Sequence, residues 1–497
     1  MTLGFRKEYN CCKSFGCENS GNGDLSRYIV SQRLGYQAYH CPKCGAYPPI
    51  LENGPILALA NQIQSTNVSA QQTWQPACRC TDKTPAWQRY GKTQTATQKL
   101  KCSRCGTFST LLNGTKLAKS LQPILCALTN GVTPDALPGH LSLNRKLYYE
   151  RIAKLASLLR FVSGLRESNR FNTRKALRFH TQSQRLRCRS GKGRNAQSSC
   201  EVWTLSTCES ESGYMLFTSD NLLKTQHGLK DIPGIYVPQS PEIPAEKDID
   251  VAQDLFAVAN LTYNKIFSRS QFDELIYCEG KHASSSEGVL YRPVYAAHAH
   301  FQYLKQRLPN LPITFVLEHE SFIRGAAITA LSETVNRGST KLYFCHAEKA
   351  SVEQMKYADT DKCEIKILNW WGEKWVRLPV KNQHGNWLVA IALLTDRGAE
   401  SPSQLREILG SRPDWNDVFW FRFQQWLPQK QRQKISHHQL VQWLEIFRYL
   451  YNYIFESRGF CSLGNPSNID DIVTELNHAF LSTAHKPSFV KHTLSSH

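Results

Sequence analysis

The distribution of cysteine constrains this chain more than any other feature. Nine of its 17 cysteines lie before residue 106, and the others are scattered singly over almost four hundred residues. The first group reads Cys12-Lys-Ser-Phe-Gly-Cys17, then the strand-like run Tyr36-Gln-Ala-Tyr-His40, then Cys41-Pro-Lys-Cys44-Gly45. Two knuckles facing each other across a small antiparallel sheet supply the four tetrahedral thiolates that Zn2+ takes at about 2.3 Å. Cys11 and His40 are alternative ligands, and Cys12 gives the better knuckle. The second group repeats the plan as Cys78-Arg-Cys80, then Trp87-Gln-Arg-Tyr-Gly-Lys92, then Lys99-Leu-Lys-Cys102-Ser-Arg-Cys105-Gly106-Thr-Phe108. Each set of four thiolates leaves no coordination position for water, so both Zn2+ sites are expected to be structural and to fold segments too small to fold alone. The isolated cysteines read as small buried hydrophobes.

The 497 residues are too many for one ordinary core and point to about three or four units. No apolar run approaches the roughly 18 residues of a membrane span. The opening MTLGFRKEYNCCKSFGC carries no apolar stretch behind its basic residues, so the expectation is a cytoplasmic, nucleoid-associated protein. Lys and Arg number 60 against 41 Asp and Glu, a formal charge of +19, which favours a polyanionic partner. With no Lys-rich amphipathic helix or lipidation signal, nucleic acid is the better reading than a membrane surface.

Beyond the cysteine groups the period changes. Leu117, Leu121, Ile124, Leu125 and Leu128 recur at helical spacing up to Asn130-Gly131, with Pro123 placed to kink the helix. After the short segment 133–141, Ser142 is the expected N-cap of a second helix containing Leu147, Ile152, Leu155, Leu158 and Leu159. Two helices around a short connection form a helix-turn-helix candidate, whose second helix offers Asn144, Arg145, Lys146, Tyr149 and Arg151 to double-stranded DNA. The stretch 170–199 then carries Arg174, Lys175, Arg178, Arg185, Arg187, Arg189, Lys192 and Arg194 with no acid before Glu201, a composition suited to phosphates.

The ribbon ending Lys99–Phe108 followed by the helical module resembles the N-terminal half of bacterial insertion-sequence DDE-type transposases. The resemblance continues through Ala176–Thr181, Cys200–Cys208 and Tyr214–Thr218, similar to the opening strands of an RNase H-like core, and through Ile313–Leu317 and Lys341–Phe344, similar to its fourth and fifth. Helical stretches fall at 251–267 and 291–308, and the aromatic run Trp443–Tyr453 is similar to a late helix of the family. The implied fold is multidomain α/β: zinc ribbon 1 over 1–50, a linker over 51–76, zinc ribbon 2 over 77–112, helix-turn-helix over 113–170, RNase H-like core over 171–350, a β-rich insertion or extension over 351–400 and a C-terminal helical region over 401–497.

Such enzymes hold two Mg2+ ions with three carboxylates, because hard cations take oxygen ligands. Where the resemblance implies an Asp on the first strand, this chain reads Phe179-His-Thr-Gln182-Ser-Gln184. After the fourth strand stand Glu318, His319 and Glu320 in place of a second Asp, and the C-terminal helices offer Glu407 and Glu445. A neutral Gln182 removes a ligand to both metals, so the resemblance implies a degenerate transposase that binds double-stranded DNA without strand transfer, as a regulator or a DNA-recognition subunit. Two further readings stand beside it. In an active Mg2+-dependent enzyme the acids are Glu318, Glu320 and Glu445, with Asp220 or Glu209 as other choices. The ribbons are alternatively docking modules for other subunits of a DNA-processing or defence complex, with Asn369–Trp375 as a contact surface or, as the blander choice, as core. A homodimer is implied by resemblance alone.

Overall fold

A computed structural model describes residues 4–33, 37–80, 85–189, 199–224, 254–268, 284–285, 288–356, 363–368, 372–395, 400–455 and 465–484. The hairpin β1 (Ile29–Ser31) and β2 (Ala38–His40) precedes helix α1 (Asn53–Trp74). Strands β3 (Trp87–Lys92), β4 (Gln98–Cys102) and β5 (Phe108–Thr110) lead into α2 (Gly114–Thr129), α3 (Leu137–His140) and α4 (Arg145–Asn172). Next come β6 (Leu177–Arg189), β7 (Ser199–Glu209), β8 (Met215–Asp220), β9 (Leu222–Leu223), α5 (Leu255–Ser268), β10 (Ser284–Ser285), β11 (Gly288–Leu290) and α6 (Pro293–Arg307). Then follow β12 (Ile313–Leu317), α7 (Ser321–Asn336), β13 (Thr340–Lys349), α8 (Val352–Lys356), β14 (Glu364–Leu368), β15 (Glu373–Asn382) and β16 (Gly385–Leu393). The chain closes with α9 (Pro402–Leu409), α10 (Trp415–Trp426), α11 (Gln429–Arg432), α12 (His437–Leu450), the π turn Tyr451–Phe455 and α13 (Ile469–Ala484).

These elements divide into two units, one of residues 1–65 and 167–441, the other of residues 66–166 and 442–497. Seven consecutive segments were the expectation. Each unit is instead assembled from two stretches far apart in the sequence, and each takes one cysteine cluster.

The first unit is built on an eight-stranded sheet in the order β14-β15-β16-β13-β12-β6-β7-β8. The hairpin strands β6, β7 and β8 are antiparallel, whereas β12 runs parallel to both β6 and β13. A strand flanked by parallel neighbours is covered on both faces and reads as a continuous apolar run, as Ile313-Thr-Phe-Val-Leu317 does. In register, Ile313 faces Leu177 and Leu317 faces Thr181. Within 351–400, strands β14 to β16 extend this same sheet in antiparallel fashion. Phe179, Phe315, Phe301, Trp203 and Trp375 lie in its core.

The segment 51–76, expected as a linker, is mostly helical: residues 53–74 form α1, in which Ile56, Leu59 and Ala60 bury at helical spacing. The polar composition of Asn61 to Thr73 hides that stripe in the sequence.

In the second unit, α2 runs unbroken through Pro123 and buries Leu117, Leu121, Ile124, Leu125 and Leu128. The Asn113 side chain accepts from Lys116 N at 2.9 Å and caps it. The cap of α4 is Asn144 rather than Ser142: the Asn144 side chain accepts from Leu147 N at 2.9 Å, while Ser142 takes φ +49° in the preceding turn. Helix α13 packs on α2. Gln122 accepts from Ile469 N at 2.7 Å and donates to Ser467 O at 2.8 Å, and Asn477 exchanges two 3.0 Å bonds with Leu112.

Candidate metal centres and the acidic site of the sheet

The ligand atoms of Cys12, Cys17, Cys41 and Cys44 all lie within 4.8 Å of one another, as do those of Cys78, Cys80, Cys102 and Cys105. A tetrahedron of sulfurs at the Zn–S bond length has edges of about 3.8 Å. The observed separations match it: 3.4 Å for Cys12–Cys44, 3.7 Å for Cys17–Cys41, 3.3 Å for Cys78–Cys105 and 3.7 Å for Cys80–Cys102. Both clusters therefore fit one metal ion such as zinc. The second knuckle of each closes on a glycine in the left-handed region, Gly45 at φ +74° and Gly106 at +71°, whose N–H returns to the carbonyl of Cys41 or Cys102. Donors also turn toward sulfur, with Asn19 N 3.4 Å from Cys17 and Asn19 Nδ2 3.5 Å from Cys41. The Thr107 hydroxyl, 3.2 Å from Cys105, and the Thr107 backbone N–H favour the thiolate and lower Cys105 to about 5.

The two alternative ligands fall elsewhere. Cys11 points away to Tyr9 O and the Thr329 hydroxyl, and His40 stacks on Tyr47 with ring centroids 4.5 Å apart.

Gln182 lies on β6, one residue beyond Thr181, whose carbonyl accepts from Glu318 N at 2.9 Å. Glu318, just past β12, accepts through Oε2 from Ser183 N at 2.7 Å. The Gln182 amide donates to Asp417 Oδ1 at 2.7 Å. Asp417 sits in the first turn of α10, a helix whose aromatic side pins it to β6 and β7. There Ser206 Oγ accepts from Trp420 Nε1 at 3.0 Å and lies 2.8 Å from Asn416 Oδ1 and 3.0 Å from Gln182 O. Burial raises the Asp417 carboxyl, the Gln182 bond opposes this, and Asp414 adds to the rise. The sequence points to Glu318 but not to Asp417, whose run Asp414-Trp-Asn-Asp417 reads as an ordinary helix start.

The other acids are engaged separately. Glu320 precedes α7 and is buried. Glu445 belongs to the second unit, where Arg160 at 3.1 Å and Arg448 at 2.5 Å hold it. Burial opposes its ionisation, yet these two cations keep its carboxyl below the usual range. Asp220 pairs with His437 at 2.8 Å, Glu209 with Arg170 and Arg174, and Glu407 with Arg178. Among the described residues no three carboxylates converge on one point, and only the two cysteine sets do so.

The basic residues divide likewise. Arg145 and Lys146 are exposed at the start of α4, beside the exposed Asn144, and Tyr149 and Arg151 are half-buried. Arg145 lies over the Tyr149 ring at 5.8 Å. On β6, Arg187 pairs with Glu201 at 2.7 Å and Arg185 with the same carboxylate at 3.7 Å, so these cations partly neutralise an internal acid. Arg174 and Arg178 have the partners just named, Lys175 is exposed, and Arg189 bonds through its N–H to Ile435 O. Lys192 and Arg194 lie outside the described residues. Of the tryptophan cluster, Trp375 is core, stacked on His346, and residues 369–371 lie outside the described set.

Comparison with protein-family models, curated proteins and solved structures gave no match. Among the described residues no helix is long and apolar enough to cross a membrane.

Proposed function

We propose that this chain is a zinc-containing DNA-binding protein descended from a DDE-type transposase, recognising double-stranded DNA without strand transfer as a regulator or a DNA-recognition subunit. The strand arrangement supports that descent. Three antiparallel strands, β6 to β8, lie beside two strands parallel to the first, β12 and β13, the order expected of an RNase H-like core. All-thiolate ligand sets make zinc the favoured metal of both clusters.

Gln182 is the observation that carries the loss of chemistry. A two-metal site needs a carboxylate between the ions to offset their charge. Here the corresponding strand offers a neutral amide already bonded to Asp417. The start of α4 supports duplex recognition, with Asn144, Arg145 and Lys146 exposed at a helix N-terminus.

One observation favours a second reading. Glu318 and Asp417 both reach the segment 181–183, so a weak Mg2+-dependent nuclease would use those two acids.

Two measurements on the purified full chain separate these readings. Gel shifts with fragments of its own genomic neighbourhood should yield a preferred duplex, and Arg145→Ala with Lys146→Ala should weaken it about tenfold or more. Indifference to sequence at every salt concentration would sink the proposal. Supercoiled plasmid should stay intact with Mg2+ or Mn2+; nicking abolished by Glu318→Gln or Asp417→Asn would establish the nuclease instead.

A further inference from the structure

The sheet of the second cysteine cluster carries a feature that duplex recognition by α4 does not use. One face of β3, β4 and β5 packs inward through Trp87, Leu100 and Cys102, against Leu111, Phe480 and Leu481. In the observed register Gln88 lies opposite Lys101 and Lys101 opposite Phe108, so strand alternation sends Gln88, Tyr90, Lys99, Lys101, Phe108 and Thr110 to the other face. Tyr90 is 54% and Phe108 57% exposed, although both are large aromatics. Their rings meet edge to face with centroids 5.0 Å apart. The Lys101 ammonium stands over both, 5.4 Å from Tyr90 and 5.5 Å from Phe108.

We propose that this face binds single-stranded nucleic acid, with unpaired bases stacking on Tyr90 and Phe108 and the adjacent phosphates meeting Lys101 and Lys99. Charge narrows the partner: residues 77–112 contain seven Lys and Arg against one Asp, so a polyanion is attracted and a basic or apolar protein surface is not matched. The rings select the form. Bases in a duplex are covered above and below by their neighbours, whereas a single strand offers open π faces to aromatic side chains. Position matters too, because the rings stand on a sheet fixed from behind by the cysteine cluster and the Trp87 core, so little ordering is lost when a base arrives. This site is separate from the start of α4 and does not depend on the duplex reading.

The test uses the full, zinc-loaded chain and fluorescence anisotropy with a labelled oligothymidylate of about ten nucleotides, within the span of one stacking platform. The same strand annealed to its complement is the comparison. The single strand should bind more tightly. Tyr90→Ala and Phe108→Ala should each weaken it about tenfold, Tyr90→Phe should retain it, and Lys99→Gln or Lys101→Gln should flatten its salt dependence. Arg145→Ala should leave single-strand binding unchanged while weakening the duplex. Metal content measured on each variant verifies that the ribbon is intact. The proposal is overturned if the two alanine variants retain metal and bind like the parent, if duplex and single strand bind equally and lose equally, or if no single strand binds at all.

Discussion

Buried titratable side chains give this molecule two separate acid sensitivities. His180 and His300 are buried in the first unit. Burial lowers His180 to about 4, against weaker support from the carbonyls of Pro413 and Leu409, and lowers His300 to about 3, although Thr207 and Ser219 hydroxyls flank it at 2.9 and 2.8 Å. Between about pH 6.5 and 4 the unfolded chain takes up these protons and the folded chain does not. Stability therefore falls with falling pH, by roughly 1.4 kcal/mol per pH unit for each histidine. Urea midpoints measured across that window should show the slope, and His300→Gln should reduce it; an unchanged slope would mean that His300 is protonated in the fold. Glu445 acts lower. Its folded carboxyl is depressed, so its contribution is complete above the unfolded value of about 4.3 and disappears as pH falls through the folded one. Replacing it by Gln removes the buried acid that Arg448 and Arg160 pair with and should cost about 3 kcal/mol at neutral pH, read as a drop in the melting of the second unit, with a smaller loss on acidification than the parent shows.

Among the elements, α10 matters most to the acidic site, and its seat is a turn. Gly213, between β7 and β8, has φ +66°, and a Cβ there would meet the Trp415 ring at 2.4 Å. Trp415 in turn donates from Nε1 to Ser210 O at 3.0 Å. Gly213→Ala should cost about 2 kcal/mol or more through the strained backbone and the displaced indole, and should move α10 with Asp417. Thermal melting measures the first effect. The second is a loss of the Gln182–Asp417 bond, visible as a shift of the Gln182 side-chain amide resonance; a parent-like spectrum would show that α10 is held independently of this turn. Periodicity finds α2, α4, β6, β7, β8, β12 and β13, because each buries one face or runs apolar throughout. It does not find α1, whose stripe is diluted by Gln, Ser and Asn, and it places the cap of α4 two residues early because Ser and Asn are equally good caps.

For the whole molecule, the count of 60 Lys and Arg overstates the cations open to a polyanion, since Arg170, Arg174, Arg178, Arg185 and Arg187 pair with Glu201, Glu209 or Glu407. The salt dependence of duplex affinity should accordingly fall by about one for each of Arg145→Ala and Lys146→Ala, and hardly change for Arg187→Ala, which should instead lower stability. An equal loss of slope for Arg187 would place β6 on the DNA. Both units should also depend on metal. Cys44→Ser and Cys105→Ser should each remove one of two bound ions per chain, and a strong chelator should unfold each ribbon.

The cysteine spacing alone determines the two four-sulfur sets, because a tetrahedral ion demands four thiolates on two facing knuckles and the sequence writes both pairs of knuckles locally. The residue type alone likewise makes position 182 a neutral amide, Gln182, in place of an acid. Tertiary structure decides which acids attend it. Glu318 lies 136 residues beyond Gln182 and Asp417 lies 235 beyond it, joined only by the parallel pairing of β12 with β6 and by the seat of α10. Long-range assembly also decides that Glu445 is a buried ion-pair member and that the two ribbons belong to different units, because each of these depends on which distant faces bury one another.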